Sequence, residues 1–191
     1  MKYASPNINL TQKKTTSTIF VGDIHGAFKT FHHNLKQKDI RDAIVFLCGD
    51  IGFGFYKPNY YTTEIGDIQD TLQERNIYVI AIRGNHDDPH YFTNDLKNIS
   101  ARLHDEFSNW LFVSDYDLVH TPTHNILCIG GGVSIDRTNR ELNKSFWDGE
   151  LVKPLYARRF LELTKYQIDV VASHNSPSIA LPYGCGKLVH D

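Results

Sequence analysis

Five short apolar runs constrain this chain more than any other feature: Ile19-Phe20-Val21, Ala43 to Cys48, Ile77 to Ile82, Ile126 to Ile129 and Asp169 to Ala172. A strand that is apolar throughout, rather than at alternate positions, is buried on both faces, as in layered α/β sheets. Between the first three runs, Phe28, Phe31 and Leu35, then Ile65, Ile68 and Leu72, recur at helical spacing and predict two amphipathic helices. Asp88 and Pro89 read as the cap and first residue of a third, with Phe92, Leu96, Ile99 and Leu103 on one face. From Trp110 the order changes. Trp110 to Val113, Leu118 to His120 and Asn125 to Ile129 look like consecutive strands joined by polar turns such as Thr121-Pro122-Thr123, which makes a β-rich layer. Residues 131–150 read as a long polar loop over the core. Residues 1–16 are expected to be a polar tail, and 17–191 a single domain. A chain of 191 residues can bury roughly 70% of its unfolded surface, so folding requires neither disulfides nor a structural metal.

The charge balance excludes several functions. With 20 Lys and Arg against 22 Asp and Glu, the net charge is −2, and there is no basic excess to neutralise a nucleic-acid backbone. The longest apolar runs, such as Ala43 to Cys48, fall far short of the ~18–20 residues that span a bilayer. The opening MKYASPNINLTQKKTTS has no continuous apolar segment of the secretory kind. Cys48, Cys128 and Cys185 form no C-x-x-C pair, which favours free thiols in a reducing, cytoplasmic setting. Histidine is the unusual component, with ten in the chain.

Four polar clusters fall at or just after predicted strand ends, where open α/β sheets place their ligands. Gly22-Asp23-Ile24-His25-Gly26 sets an Asp and a His two apart between glycines, which fits a ligand pair or a simple turn. Gly49-Asp50-Ile51-Gly52 ends a buried strand with a carboxylate that needs a partner, or that caps the next turn. Arg83-Gly84-Asn85-His86-Asp87-Asp88 packs a cation, an amide, an imidazole and carboxylates together. His174 ends the last strand. Asp, Asn and His together are a hard-to-borderline donor set suited to divalent Mn, Fe or Zn.

In their order, G-D-x-H-G, G-D, G-N-H-D and an apolar strand ending in His resemble the calcineurin-like metallophosphoesterases. The resemblance runs from Ile19 to about Pro177. Gly130-Gly131-Gly132 with Ser134-Ile135-Asp136-Arg137 is similar to a bacterial subset of that family. It implies a layered α/β/β/α sandwich of two mixed sheets flanked by helices, with two divalent metal ions at the strand ends. By motif match, Asp23, His25 and Asp50 would bind one ion, and Asp50, Asn85 and His174 the other, Asp50 bridging. Two divalent ions against Asp23, Asp50 and a bridging hydroxide leave about +1 to attract phosphate. The implied reaction is hydrolysis of a phosphomonoester or phosphodiester by that hydroxide, with His86 as general acid, oriented and kept protonated by Asp87. Arg83 is a candidate for pairing with phosphate oxygens, the alternative being an ion pair. The expected partner is a small phosphorylated substrate. Phe53, Phe55, Tyr56, Tyr60 and Tyr61 are candidates to stack a nucleotide base, or to pack as a lid on the protein itself. Arg137 is a candidate phosphate contact or loop anchor. Cys48 shares strand parity with Asp50, although a buried thiol is the simpler reading.

The chain departs from the family's pattern in one place. The resemblance predicts a closing G-H-x-H that supplies one more histidine to each ion, and the only histidine after His174 is His190. The expectation is therefore a chain incomplete at its C-terminus that binds metal weakly. A non-catalytic scaffold of the same fold, like the retromer subunit of the superfamily, is the alternative, against which the retained His86 argues.

Overall fold

The computed structural model describes residues 7–93, 103, 106–134 and 137–176. One sheet is formed by β2 (Ser17–Val21), β3 (Ala43–Cys48), β4 (Ile77–Ile82) and β5 (Trp110–Phe112), in that order and parallel throughout. The other runs β1 (Asn7–Asn9), β6 (Asp117–His120), β7 (Asn125–Ile129), β8 (Val170–Ser173), with β6 and β7 antiparallel and the other pairs parallel. Two sheets flanked by helices are thus present as expected, one of them mixed.

Residue parity builds the layers. On β3, Ala43, Val45 and Leu47 face a core shared with α1 (Phe28–Gln37) and α2 (Pro58–Glu74), while Ile44 and Phe46 face the second sheet. On β7, Ile126 and Cys128 join Phe46 and Ile80 between the sheets, and Leu127 points outward toward Leu163 of α3 (Ala157–Leu163). Full burial of one such Ile, Leu or Phe contributes roughly 1.5–3 kcal/mol, so the double-sided runs supply most of the drive to stack the layers. Asp50 lies two residues beyond the end of β3, in the turn that follows it.

Several expectations need correction. Asn7–Asn9, expected within a tail, pairs with β6, because Ile8 and the buried Leu10 alternate onto the inter-sheet core. Asp88 does cap, its carboxylate accepting from the His90 amide, but the segment it caps is a 3-10 turn, Pro89–Phe92. Leu96 and Ile99 lie outside the described residues, as do His104, Cys185 and His190. α2 begins at Pro58, so Tyr60 and Tyr61 are helical, and Phe53 and Tyr61 are core residues. Phe55 and Tyr56 remain exposed. No helix among the described residues is long and apolar enough to cross a membrane.

Asp117, at the start of β6, is buried, and its carboxylate accepts from the Ser114 amide. Burial pushes its pKa up to about 7, against the pull of the Ser114 bond and of Arg159. The folded chain therefore holds this proton up to about pH 7, whereas the unfolded chain releases it near 3.8. Between those values the folded state binds more protons, so this group's contribution falls as pH rises, by up to about 4 kcal/mol in all. Asp117→Asn should flatten that part of the pH–stability curve and raise stability at pH 8; urea unfolding of both proteins at pH 5 and pH 8 tests it, and an unchanged slope would refute it.

Candidate metal centre

The turns after β2 and β3 are clasped together by main-chain bonds: the His25 amide donates to Asp50 O at 2.8 Å, and the Gly26 amide to Ile51 O at 2.7 Å. Asp23, His25 and Asp50 all sit in the left-handed region, with φ of 50°, 43° and 48°. Such residues are uncommon and cost local strain, and three of them in two facing turns concentrate it at one place.

Asp50 is 6% exposed, and its two carboxylate oxygens face different partners. Oδ1 accepts from the His86 amide at 3.0 Å and lies 3.3 Å from His174 Nε2. Oδ2 lies 3.8 Å from both His25 Nε2 and His86 Nδ1. Donor atoms of His25, Asp50 and His86 fall within 4.8 Å of one another, and the His25 and His86 rings meet edge to face at 5.4 Å between centroids.

His174, which follows β8, reaches across to the end of β3, where its Nδ1 lies 2.9 Å from Cys48 O. A carbonyl only accepts, so Nδ1 carries the proton, and in the neutral ring Nε2 presents a lone pair. That lone pair faces Asn85 Oδ1 at 2.9 Å and Asp50 Oδ1. The orientation of Asn85 is fixed from behind: its Nδ2 donates to Ser134 Oγ at 2.9 Å, and that hydroxyl donates to Glu150 Oε2 at 2.7 Å. Two oxygens and an imidazole nitrogen directed at one point repel unless a positive charge, a proton on Nε2 or a metal cation, lies between them. This donor set fits a divalent cation, and the bonds behind His174 and Asn85 are of the kind that orient metal ligands.

Two glycines make room for this. A Cβ on Gly84 would overlap the main-chain nitrogen and carboxylate of Asp50, and one on Gly49, at φ +90°, would run into the His174 ring. Both contacts require bare backbone.

The structure thus brings together His25, Asp50, Asn85, His86 and His174. Asp23 stands at the rim, its side chain 65% exposed, with Oδ1 3.9 Å from His174 Nδ1. Two other expectations are corrected. Asp87 does not orient His86: it is fully buried and accepts from the amides of Ile51, Gly52, Phe53 and Gly84 at 2.7–3.1 Å. Burial pushes its pKa up, opposed by those four bonds. Arg83 is not offered to a phosphate: its guanidinium is buried, bound to the Asp115 carboxylate at 2.7 Å and to the carbonyls of Gly149 and Glu150. Cys48 is partly buried, and burial pushes its thiol up to about 11, which suits a packing residue better than a ligand. The side chain of Arg137 lies outside the described residues.

Among the other histidines, His32 is tied to Thr71, His90 to Asp88, and His120 to Asn125. Arg140 is the functional neighbour that sequence reasoning missed, its Nη2 lying against the His86 ring. Ser134 and Glu150 were likewise given no role at the site. The glycine run with Ser134 to Arg137 pointed to that loop, but not to these contacts.

Oxygen and imidazole donors gathered at the ends of β2, β3, β4 and β8 define a candidate metal centre. The chain belongs to the calcineurin-like phosphoesterase family, whose model matches residues 16–190, and members of that family normally bind divalent metals. No curated protein matches the sequence. Among solved structures, the chain is similar to a cold-active protein-tyrosine phosphatase of a psychrophilic Shewanella species, with 15% identity and a TM-score of 0.36, over 87% of this chain and 70% of that one. It is also similar to a mutant cold-active protein tyrosine phosphatase, with 15% identity and a TM-score of 0.31, over 66% of this chain and 47% of that one.

Proposed function

We propose that this protein is a dinuclear metal-dependent phosphoesterase acting on a small phosphorylated substrate. The observation that carries this reading is the division of the Asp50 carboxylate, with Oδ1 toward His174, whose Nε2 also meets Asn85 Oδ1, and Oδ2 toward His25. In this reading Asp50, Asn85 and His174 would hold one ion, and Asp50 and His25, with Asp23 at the rim, the other. Bound Mn, Fe or Zn would supply Lewis acidity, acidifying water and offsetting phosphate charge. The chain's own part is positioning and proton transfer. His86 is held with Nδ1 3.8 Å from Asp50 Oδ2, and its imidazole is the group placed to hand a proton to a leaving oxygen. The exposed Phe55 and Tyr56 offer faces for a nucleotide base: Phe55 rests on Trp147, and Tyr56 lies beside Gly26, next to His25. A cytoplasmic setting belongs to the same proposal and rests on the free thiols of Cys48 and Cys128.

The test is hydrolysis of p-nitrophenyl phosphate and bis-p-nitrophenyl phosphate by protein loaded with Mn, Zn or Fe, with metal content measured alongside. His86→Ala should lose about 10²–10⁴ in kcat while retaining its metal. Loaded wild-type protein that hydrolyses neither ester would favour the scaffold reading instead.

A further inference from the structure

Arg140 reaches the site from a folded turn rather than a trailing loop. Glu141 O accepts from the amides of Ser145 and Phe146 at 3.0 and 3.1 Å, the Asn143 amide donates to Phe146 O at 2.7 Å, and Phe146 and Trp147 are buried beneath. The guanidinium is held on one side, Nη1 donating to Ser145 O at 3.0 Å. On the other side Nη2 touches both ring nitrogens of His86, 3.4 Å from Nδ1 and closer to Nε2. A planar cation fixed at this point costs side-chain entropy and lies beside the residue assigned to the leaving group. Among the described residues, the guanidinium that touches His86 is that of Arg140, while Arg83 is bound to Asp115.

From this placement we propose that Arg140 binds a terminal oxygen of the substrate phosphate and makes the site prefer phosphomonoesters to phosphodiesters. The inference rests on the phosphoesterase reading above and deepens it by naming the ester class. A monoester dianion presents three terminal oxygens and two negative charges, a diester two oxygens and one charge. A pair of cations can take one terminal oxygen each, which leaves a third only in the monoester. A guanidinium's forked donors suit that third oxygen, and its charge is worth more against a dianion than a monoanion. Substrate phosphate would then draw Nη2 from the imidazole and open His86 Nε2 toward the leaving oxygen.

The experiment compares wild type, Arg140→Lys and Arg140→Ala, each loaded with Mn, on p-nitrophenyl phosphate and its bis ester, with thermal melting and metal content as controls. One charge-assisted contact corresponds to a loss of about 10- to 100-fold in kcat/KM on the monoester for Arg140→Ala, with the loss on the diester ~10-fold smaller. Arg140→Lys should recover part of the monoester rate. Equal losses on both esters would make Arg140 a residue that merely holds the turn, and no loss on either would remove it from the site; both overturn the proposal. Should wild type hydrolyse neither ester, the phosphoesterase reading fails by itself, and calorimetry with inorganic phosphate and the Mn-loaded proteins still decides on Arg140. Binding weakened about tenfold in Arg140→Ala supports the phosphate contact, and equal affinity overturns it.

Discussion

Asp50→Asn is expected to lower metal retention and hydrolysis together, by about a thousandfold or more in kcat/KM, equivalent to ~4 kcal/mol of transition-state stabilisation. The substitution preserves shape but removes the charge and turns one oxygen into an NH₂ donor. Whichever way the amide sits, one of the two donor groups, His174 with Asn85 or His25 with His86, loses its shared oxygen. Asn can still accept from the His86 amide, so the turn after β4 should persist and the melting temperature should change little. Metal analysis after dialysis and steady-state kinetics on both model esters check this. A variant with wild-type metal content and rate would end the bridging assignment.

Asp87→Ala should be the most damaging change to stability. It would strand the amides of Ile51, Gly52, Phe53 and Gly84, all of them on buried residues. Each buried donor left unpaired costs about 1–3 kcal/mol, and with partial relaxation the total should reach about 4 kcal/mol, a large share of the ~5–15 kcal/mol that holds a typical domain folded. Asp87→Asn keeps one accepting oxygen and should cost about half as much. Urea unfolding measures both, and a cost below about 1 kcal/mol for the alanine variant would show that those amides find other partners.

The parts of the fold that were legible are those where one residue's burial predicts its neighbour's. β3 and β4 were read to the residue, and β7 to within one, because both faces are covered, and α1 and α2 were located, though not bounded, because their buried positions recur every three or four residues. β1 was not legible, since three residues with one apolar side chain carry no pattern, and their pairing with β6 is set by the distant chain. At the site, position after a strand identified His25, Asp50, Asn85, His86 and His174, because parallel strands deliver their ends to one edge. Adjacency in sequence misled at Asp87: it follows His86 directly, yet on a tight turn the imidazole points to Asp50 while the carboxylate turns inward to the amides. Arg83 misled similarly, because nothing near it in sequence announces Asp115. Arg140, Ser134 and Glu150 take their roles from contacts across 54, 49 and 16 positions, a span at which spacing says nothing.

The bond between His174 and the end of β3 spans 126 positions, and this has a consequence for how the centre comes into being. During synthesis the strands bearing Asp23, Asp50 and Asn85 emerge early and are free to pair with one another, but the imidazole opposite them arrives only with β8, after closure of a very long loop. In the dinuclear reading proposed above, ion capture by Asn85 and His174 would therefore be a late event, contingent on the second sheet docking against the first. Followed in time, it would report when the two sheets have joined.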